Sequence, residues 1–181
     1  MKRTIAILTV LFLLQPCLAQ SKKFSKKMKK NVALLDSAKK EEDYLNCARL
    51  FMKMKERNQW TVNYYIALGY LLACFEDKQE NAEQLCDTAE VFLNKADSLS
   101  NDNSEIFVLR AMLASGRVMA APMARWAKYG KISYDALEKA ISLDQDNPRP
   151  YVLKAITARY SPGGGCEKAL SNAPLWLLIH R

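Results

Sequence analysis

The sequence predicts an all-α fold of antiparallel helix hairpins stacked side by side. Three observations carry this reading. Its 181 residues are 50% hydrophobic with only six glycines and six prolines, a composition that suits packed helices rather than a disordered chain. Apolar residues recur at spacings of three and four, the mark of one buried helix face. Most informative is an internal copy. Leu93 to Ala114 reads LNKADSLSNDNSEIFVLRAMLA, and 44 residues later Leu137 to Ala158 reads LEKAISLDQDNPRPYVLKAITA. Eleven of these 22 aligned positions are identical, among them Asp102/Asp146, Asn103/Asn147, Leu109/Leu153 and Ala111/Ala155. The repeated unit is a helix end, a polar corner and a new helix. Such a unit needs neighbours to bury its apolar face, so the copy implies a helical array.

The elements follow in order. Residues 1–19 have a positive start at Lys2 and Arg3, an apolar run from Ile5 to Leu14, and small residues before a cut after Ala19. These are the marks of a secretory signal peptide. An uncleaved anchor and lipidation of Cys17 stand as alternatives. Residues 20–30 hold six lysines with Phe24 and Met28 interleaved. They are expected to form a loose basic leader, with contact to an anionic membrane as the alternative. The repeat domain spans 31–170. It opens with a short helix around Val32 to Ala38 and a second carrying Tyr44, Cys47, Phe51 and Met54. Further helices are expected over 58–74, 82–99 and 104–120. Pro122 should interrupt the chain and Gly130 should end a turn before a helix over 132–143. The next helix covers 147–160, followed by Gly163 to Gly165. Residues 171–181 form an apolar tail containing Trp176, Leu177, Leu178 and Ile179. It is expected to be a truncated repeat or an edge for self-association, because terminal repeats usually present a polar outer surface.

Two groups of residues resemble a known family. Tyr44, Cys47, Phe51 and Met54 match the second-helix positions of a tetratricopeptide repeat. Tyr65, Leu68, Gly69 and Leu72 match the first-helix positions of the next unit. Arg110 and Lys154 depart from the pattern, standing where leucine is usual. Met123-Ala124-Arg125, Lys128-Tyr129-Gly130, Asn147-Pro148-Arg149 and the triple glycine resemble secreted tetratricopeptide proteins of Bacteroidetes-type bacteria. The resemblance covers about residues 31–170. It implies a right-handed solenoid of three to four hairpins and supplies no catalytic residue to carry over.

Charge and chemistry narrow the function. Eight of the 27 basic residues precede Asn31, and the remaining 19 meet all 19 acidic ones. The body is therefore formally neutral, which argues against nucleic-acid binding. The one histidine is His180, so a catalytic triad or a histidine metal site has no other source. No phosphate loop, no CxxC pair and no cofactor motif occurs. Cys74 and Cys86 flank one hairpin turn, at a spacing expected to leave them on different helical levels, with a bridge between them in an exported chain as the alternative. Cys47 and Cys74 are expected to pack as small hydrophobes.

The chain thus reads as a non-enzymatic interaction scaffold, exported to the periplasm or cell surface, without a cofactor. Its partner would be a protein or peptide of the envelope. The competing reading is a structural subunit that self-associates through its repeat ends, or a fragment of a longer repeat protein. Candidate contacts are Tyr64, Tyr70, Arg110 and Lys154 on a concave face. Arg125, Trp126 and Tyr129 form a second set, in an insertion that either binds a partner or packs over the longer helices.

Overall fold

In the computed structural model, residues 22–56, 58–77, 81–160 and Gly165 are described. Residues 1–19, read above as a signal peptide, Cys166, His180 and the apolar tail lie outside them. Seven helices and no strand occur among the described residues. They are α1 (22–37), α2 (Glu41–Met52), α3 (Trp60–Glu76), α4 (Ala82–Leu99), α5 (Ser104–Ala120), α6 (Pro122–Leu143) and α7 (Pro148–Tyr160). From α2 onward each helix packs on the next in the chain, and α3 also touches α5. No described helix is long and apolar enough to cross a membrane.

Two expectations about where helices begin and end are corrected. The basic stretch from residue 22 is not a loose leader but the first turns of α1. Phe24 and Met28 pack against a core of Leu35, Phe51, Val62 and Ile66, which gives the segment a buried face while its lysines stay in water. Gly130 ends no turn. Pro122 takes the first-turn position of α6, where its missing N–H costs nothing, and the helix then runs through Gly130 to Leu143. A glycine inside a helix costs about 1 kcal/mol relative to alanine. Twenty-two residues of helix with a buried Ala136, Leu137 and Ala140 face absorb that. The longer unit therefore arises from a lengthened helix.

Small residues set how closely the helices approach. A Cβ added at Gly69 would lie 3.0 Å from the Ala48 Cβ and 3.2 Å from the Tyr44 carbonyl oxygen. The α2–α3 crossing depends on its absence. On one side of this contact Phe51 stacks on Tyr65, with centroids 5.1 Å apart. At the α4–α5 interface the buried Arg117 binds three α4 carboxylates. It reaches Glu83 at 2.5 Å, Asp87 at 2.6 Å and Glu90 at 2.7 Å.

The two sequence copies build the same corner. Asn103 Oδ1 accepts from the Glu105 N–H at 3.0 Å, and Asn147 Oδ1 accepts from the Arg149 N–H at 3.0 Å. Each asparagine caps the helix that follows it. Asp102 precedes the first cap at φ 50, a left-handed conformation that aspartate tolerates better than most residues. Arg110 and Lys154 are equivalent again. Arg110 bonds Asn94 and Asp97 on α4, and Lys154 bonds Glu138 on α6 at 2.5 Å. These cations tie each helix to the one before it.

Cys74 and Cys86 do not lie on different levels. Their sulfurs are 3.6 Å apart and fully buried. The helix α4 begins at Ala82, soon after α3 ends at Glu76, so one turn of α4 returns Cys86 to the height of Cys74.

Two stability predictions follow from this packing. Gly69→Leu should lower the unfolding free energy by about 1–3 kcal/mol, since its side chain overpacks the α2–α3 crossing; a urea midpoint equal to wild type would contradict the crossing. Asn147→Ala should cost about 1–2 kcal/mol through the lost cap, a loss readable in thermal unfolding followed by circular dichroism.

Candidate ligand groove

The four odd-numbered helices present side chains to one groove. Val32 and Asp36 come from α1, Tyr64, Tyr65 and Leu68 from α3, and Val108 and Met112 from α5. Pro148, Arg149, Val152 and Leu153 come from α7. The cavity is about 350 Å³ and continues along α1 into a hollow lined by Met28, Lys29 and Tyr65. Its walls are mostly aliphatic, with aromatic and charged groups at one end. This is the usual make-up of a small-molecule site, an apolar slot with few placed polar groups.

The polar end is organised by Glu105, in the first turn of α5. Tyr64 Oη donates to Glu105 Oε2 at 2.8 Å, and Arg149 Nη1 donates to the same oxygen at 2.5 Å. Asn147 Nδ2 donates to Glu105 Oε1 at 2.8 Å and to Ser104 Oγ at 3.0 Å. Burial, then the Glu105 charge, pushes the Tyr64 phenol well above its ordinary range. Burial also pushes Tyr65 up, against the opposing pull of Arg149. For Arg149 burial works against the charge, but Tyr64 and Glu105 outweigh it and hold the guanidinium above its ordinary value. Arg149 therefore stays a cation, and 59% of its side chain remains exposed at the groove. The two tyrosine rings meet edge to face, with centroids 5.2 Å apart, and Trp60 packs edge-on to Tyr64 at 5.9 Å.

A second cleft, about 340 Å³, lies between the ends of α3 and α5 and the faces of α6 and α7. Trp126 and Tyr129 line it with Phe75, Val118, Met119 and Ile156. Arg125 pairs with Glu83 and sits 6.0 Å from the Tyr129 ring centroid, while Lys128 sits 5.1 Å from it. The cleft borders the C-terminal half of α7, beyond which nearly all of the chain is outside the described residues.

The sequence candidates divide among several places. Tyr64 is in the groove wall, buried and bonded to Glu105. Tyr70 faces away from the groove, its ring parallel to Phe92 at 6.4 Å and its hydroxyl near the Met52 sulfur. Arg110 and Lys154 are held by the carboxylates on the preceding helices. Arg125, Trp126 and Tyr129 gather at the second cleft. Sequence reasoning passed over Tyr65, Met112, Asp36 and Arg149 as binding residues. Arg149 was visible as part of the Asn-Pro-Arg corner, and Tyr65 as the large residue before Leu68-Gly69. Among the described residues no cluster of histidine, cysteine, aspartate or glutamate could hold a metal ion.

A scan against models of known protein families found no match, and a search of curated proteins found none. Among solved structures the chain is similar to the HusA haemophore from Porphyromonas gingivalis. The two are 37% identical, with a TM-score of 0.73, over 82% of this chain and 75% of that one. At this identity and coverage the likeness extends beyond a shared fold, and the chain belongs to the family of the HusA haemophore.

Proposed function

We propose that this chain is an exported, non-enzymatic carrier that binds haem in the groove between its odd-numbered helices. The observation that carries the reading is the 37% identity to a haemophore, taken with a groove whose chemistry suits a tetrapyrrole. A haem is a flat apolar plate with two carboxylates at one edge. Val32, Leu68, Val108, Val152 and Leu153 offer aliphatic walls to the plate. Arg149 offers a charge-assisted partner to a carboxylate, and Lys29 is a second cation along the same face. Iron accepts tyrosine oxygen and methionine sulfur as axial ligands. Tyr65 and Met112 are groove side chains of that chemistry, whereas the hydroxyl of the neighbouring Tyr64 is already bonded to Glu105.

The helices themselves are read as a right-handed tetratricopeptide-like stack. The equivalent corners at Asn103 and Asn147 support this, as does one groove shared by α1, α3, α5 and α7. The repeat resemblance alone favoured a protein or peptide partner in this inner face. The haemophore relative moves the reading to a tetrapyrrole. Export follows from the signal-like residues 1–19.

Titration of haemin into the chain beginning at Gln20, followed by absorbance and tryptophan fluorescence, tests the site. Saturable one-to-one binding is expected with a Kd near or below about 1 µM, or ~8 kcal/mol. Val152→Arg puts a long cation on an exposed position of the groove wall and should abolish it; undiminished binding by this variant, or no saturable change in wild type, rejects the proposal. A finer substitution separates plate from iron. Tyr65→Phe should weaken ferric haem about tenfold, roughly 1.4 kcal/mol, while leaving metal-free protoporphyrin unaffected.

A further inference from the structure

We infer that Cys74 and Cys86 form a native disulfide in the exported protein, a covalent staple across the α3–α4 hairpin. The two sulfurs face each other at 3.6 Å, and each residue is 0% exposed. Disulfide formation needs them to close to about 2.0 Å, a movement within reach of side-chain rotation. The neighbouring helix leaves room for the pair. A Cβ on Gly116 of α5 would come within 2.7 Å of the Cys86 sulfur and 3.3 Å of the Cys74 sulfur. Glycine at that position fits a site that holds two sulfurs side by side. Cys47 is buried in a separate cluster with Leu35 and Phe51, so it does not compete for this pairing.

The two thiols are chemically unequal. The hydrogen bond from Cys86 holds the Cys74 thiol below its ordinary range, against burial and Asp77. The same bond, with burial, pushes Cys86 up. The oxidant is an external disulfide, either glutathione disulfide or the disulfide of a thiol oxidase. One cysteine thiolate attacks it, forming a mixed disulfide and releasing one of its sulfurs. The thiolate of the other cysteine then attacks the protein sulfur of that mixed disulfide and releases the second. Two electrons pass to the external disulfide, which leaves as two thiols carrying the two protons. Because both cysteines are fully buried, the exchange takes place before the hairpin closes against α5. The bond is then shielded from reductants in the folded protein.

The inference rests on the exported location proposed above and is independent of the ligand. The test uses the full chain secreted into the periplasm of a bacterial host, trapped with an alkylating agent in denaturant so that buried thiols react, and mapped by mass spectrometry without reduction. A linked Cys74–Cys86 peptide is expected. Complete reduction should lower Tm by about 10 °C, as the loss of a short-loop staple implies, and Cys74→Ser should show no such dependence on reductant. Alkylation of both cysteines in the secreted protein overturns the inference, and so does a bridge to Cys47 or Cys166 instead. Haemin binding measured on the same sample reads the ligand proposal separately.

Discussion

Glu105 is the side chain on which the rest of the arrangement depends. It sits in the first turn of α5, where a helix favours an acidic group, and its own N–H is capped by Asn103. From there its carboxylate collects Tyr64 of α3, Asn147 of the next corner and Arg149 of α7. Three helices distant in sequence are thereby set against one another by charge-assisted hydrogen bonds. Aliphatic packing supplies most of the stabilisation in such a fold, but it is non-directional. The carboxylate supplies the direction. It holds α3, α5 and α7 so that Tyr65, Met112 and Val152 line one groove, and it holds Arg149 as a cation at that groove's polar end.

The helix crossings are the second constraint. Gly69 lets α3 lie against Ala48 of α2, and Gly116 lets α5 lie against the paired sulfurs of the α3–α4 hairpin. Both glycines are inside helices, where their propensity is poor. Close approach is what each position returns. Arg110 and Lys154 show the complementary device. They stand where the repeat pattern prefers leucine, and each reaches back to polar groups on the preceding helix. A long cation there covers apolar surface with its stem and keeps its head at the rim.

Much of the fold was legible in the sequence. The copies starting at Leu93 and Leu137 share their cap, their corner and their interhelix cation, and equal residues at equal spacing make equal contacts. Helix periodicity placed α4 and α5 to the residue, and Pro122 marked the break between α5 and α6. Less legible were features that depend on what packs where. A run of lysines reads as a loose leader until Phe24 and Met28 find a core to cover. Gly130 reads as a stop until the surrounding helix outweighs it. The level of Cys86 relative to Cys74 depends on the turn between the helices rather than on their spacing in the chain. The site was only partly visible, because aromatic and basic residues stand out whether they bind or pack. Tyr70 packs, Arg110 and Lys154 brace, and the valines and leucines of the groove wall stand at repeat positions that read as packing rather than binding.

The groove of α1, α3, α5 and α7 is the proposed seat of the tetrapyrrole. Paramagnetic broadening of backbone amides by ferric haem, followed by NMR on isotope-labelled protein, tests it most directly. Selective loss of signal around Tyr65, Val108, Met112 and Val152 is expected for haem in this groove. Broadening centred on Trp126, Tyr129 and Met119 at the second cleft would contradict it.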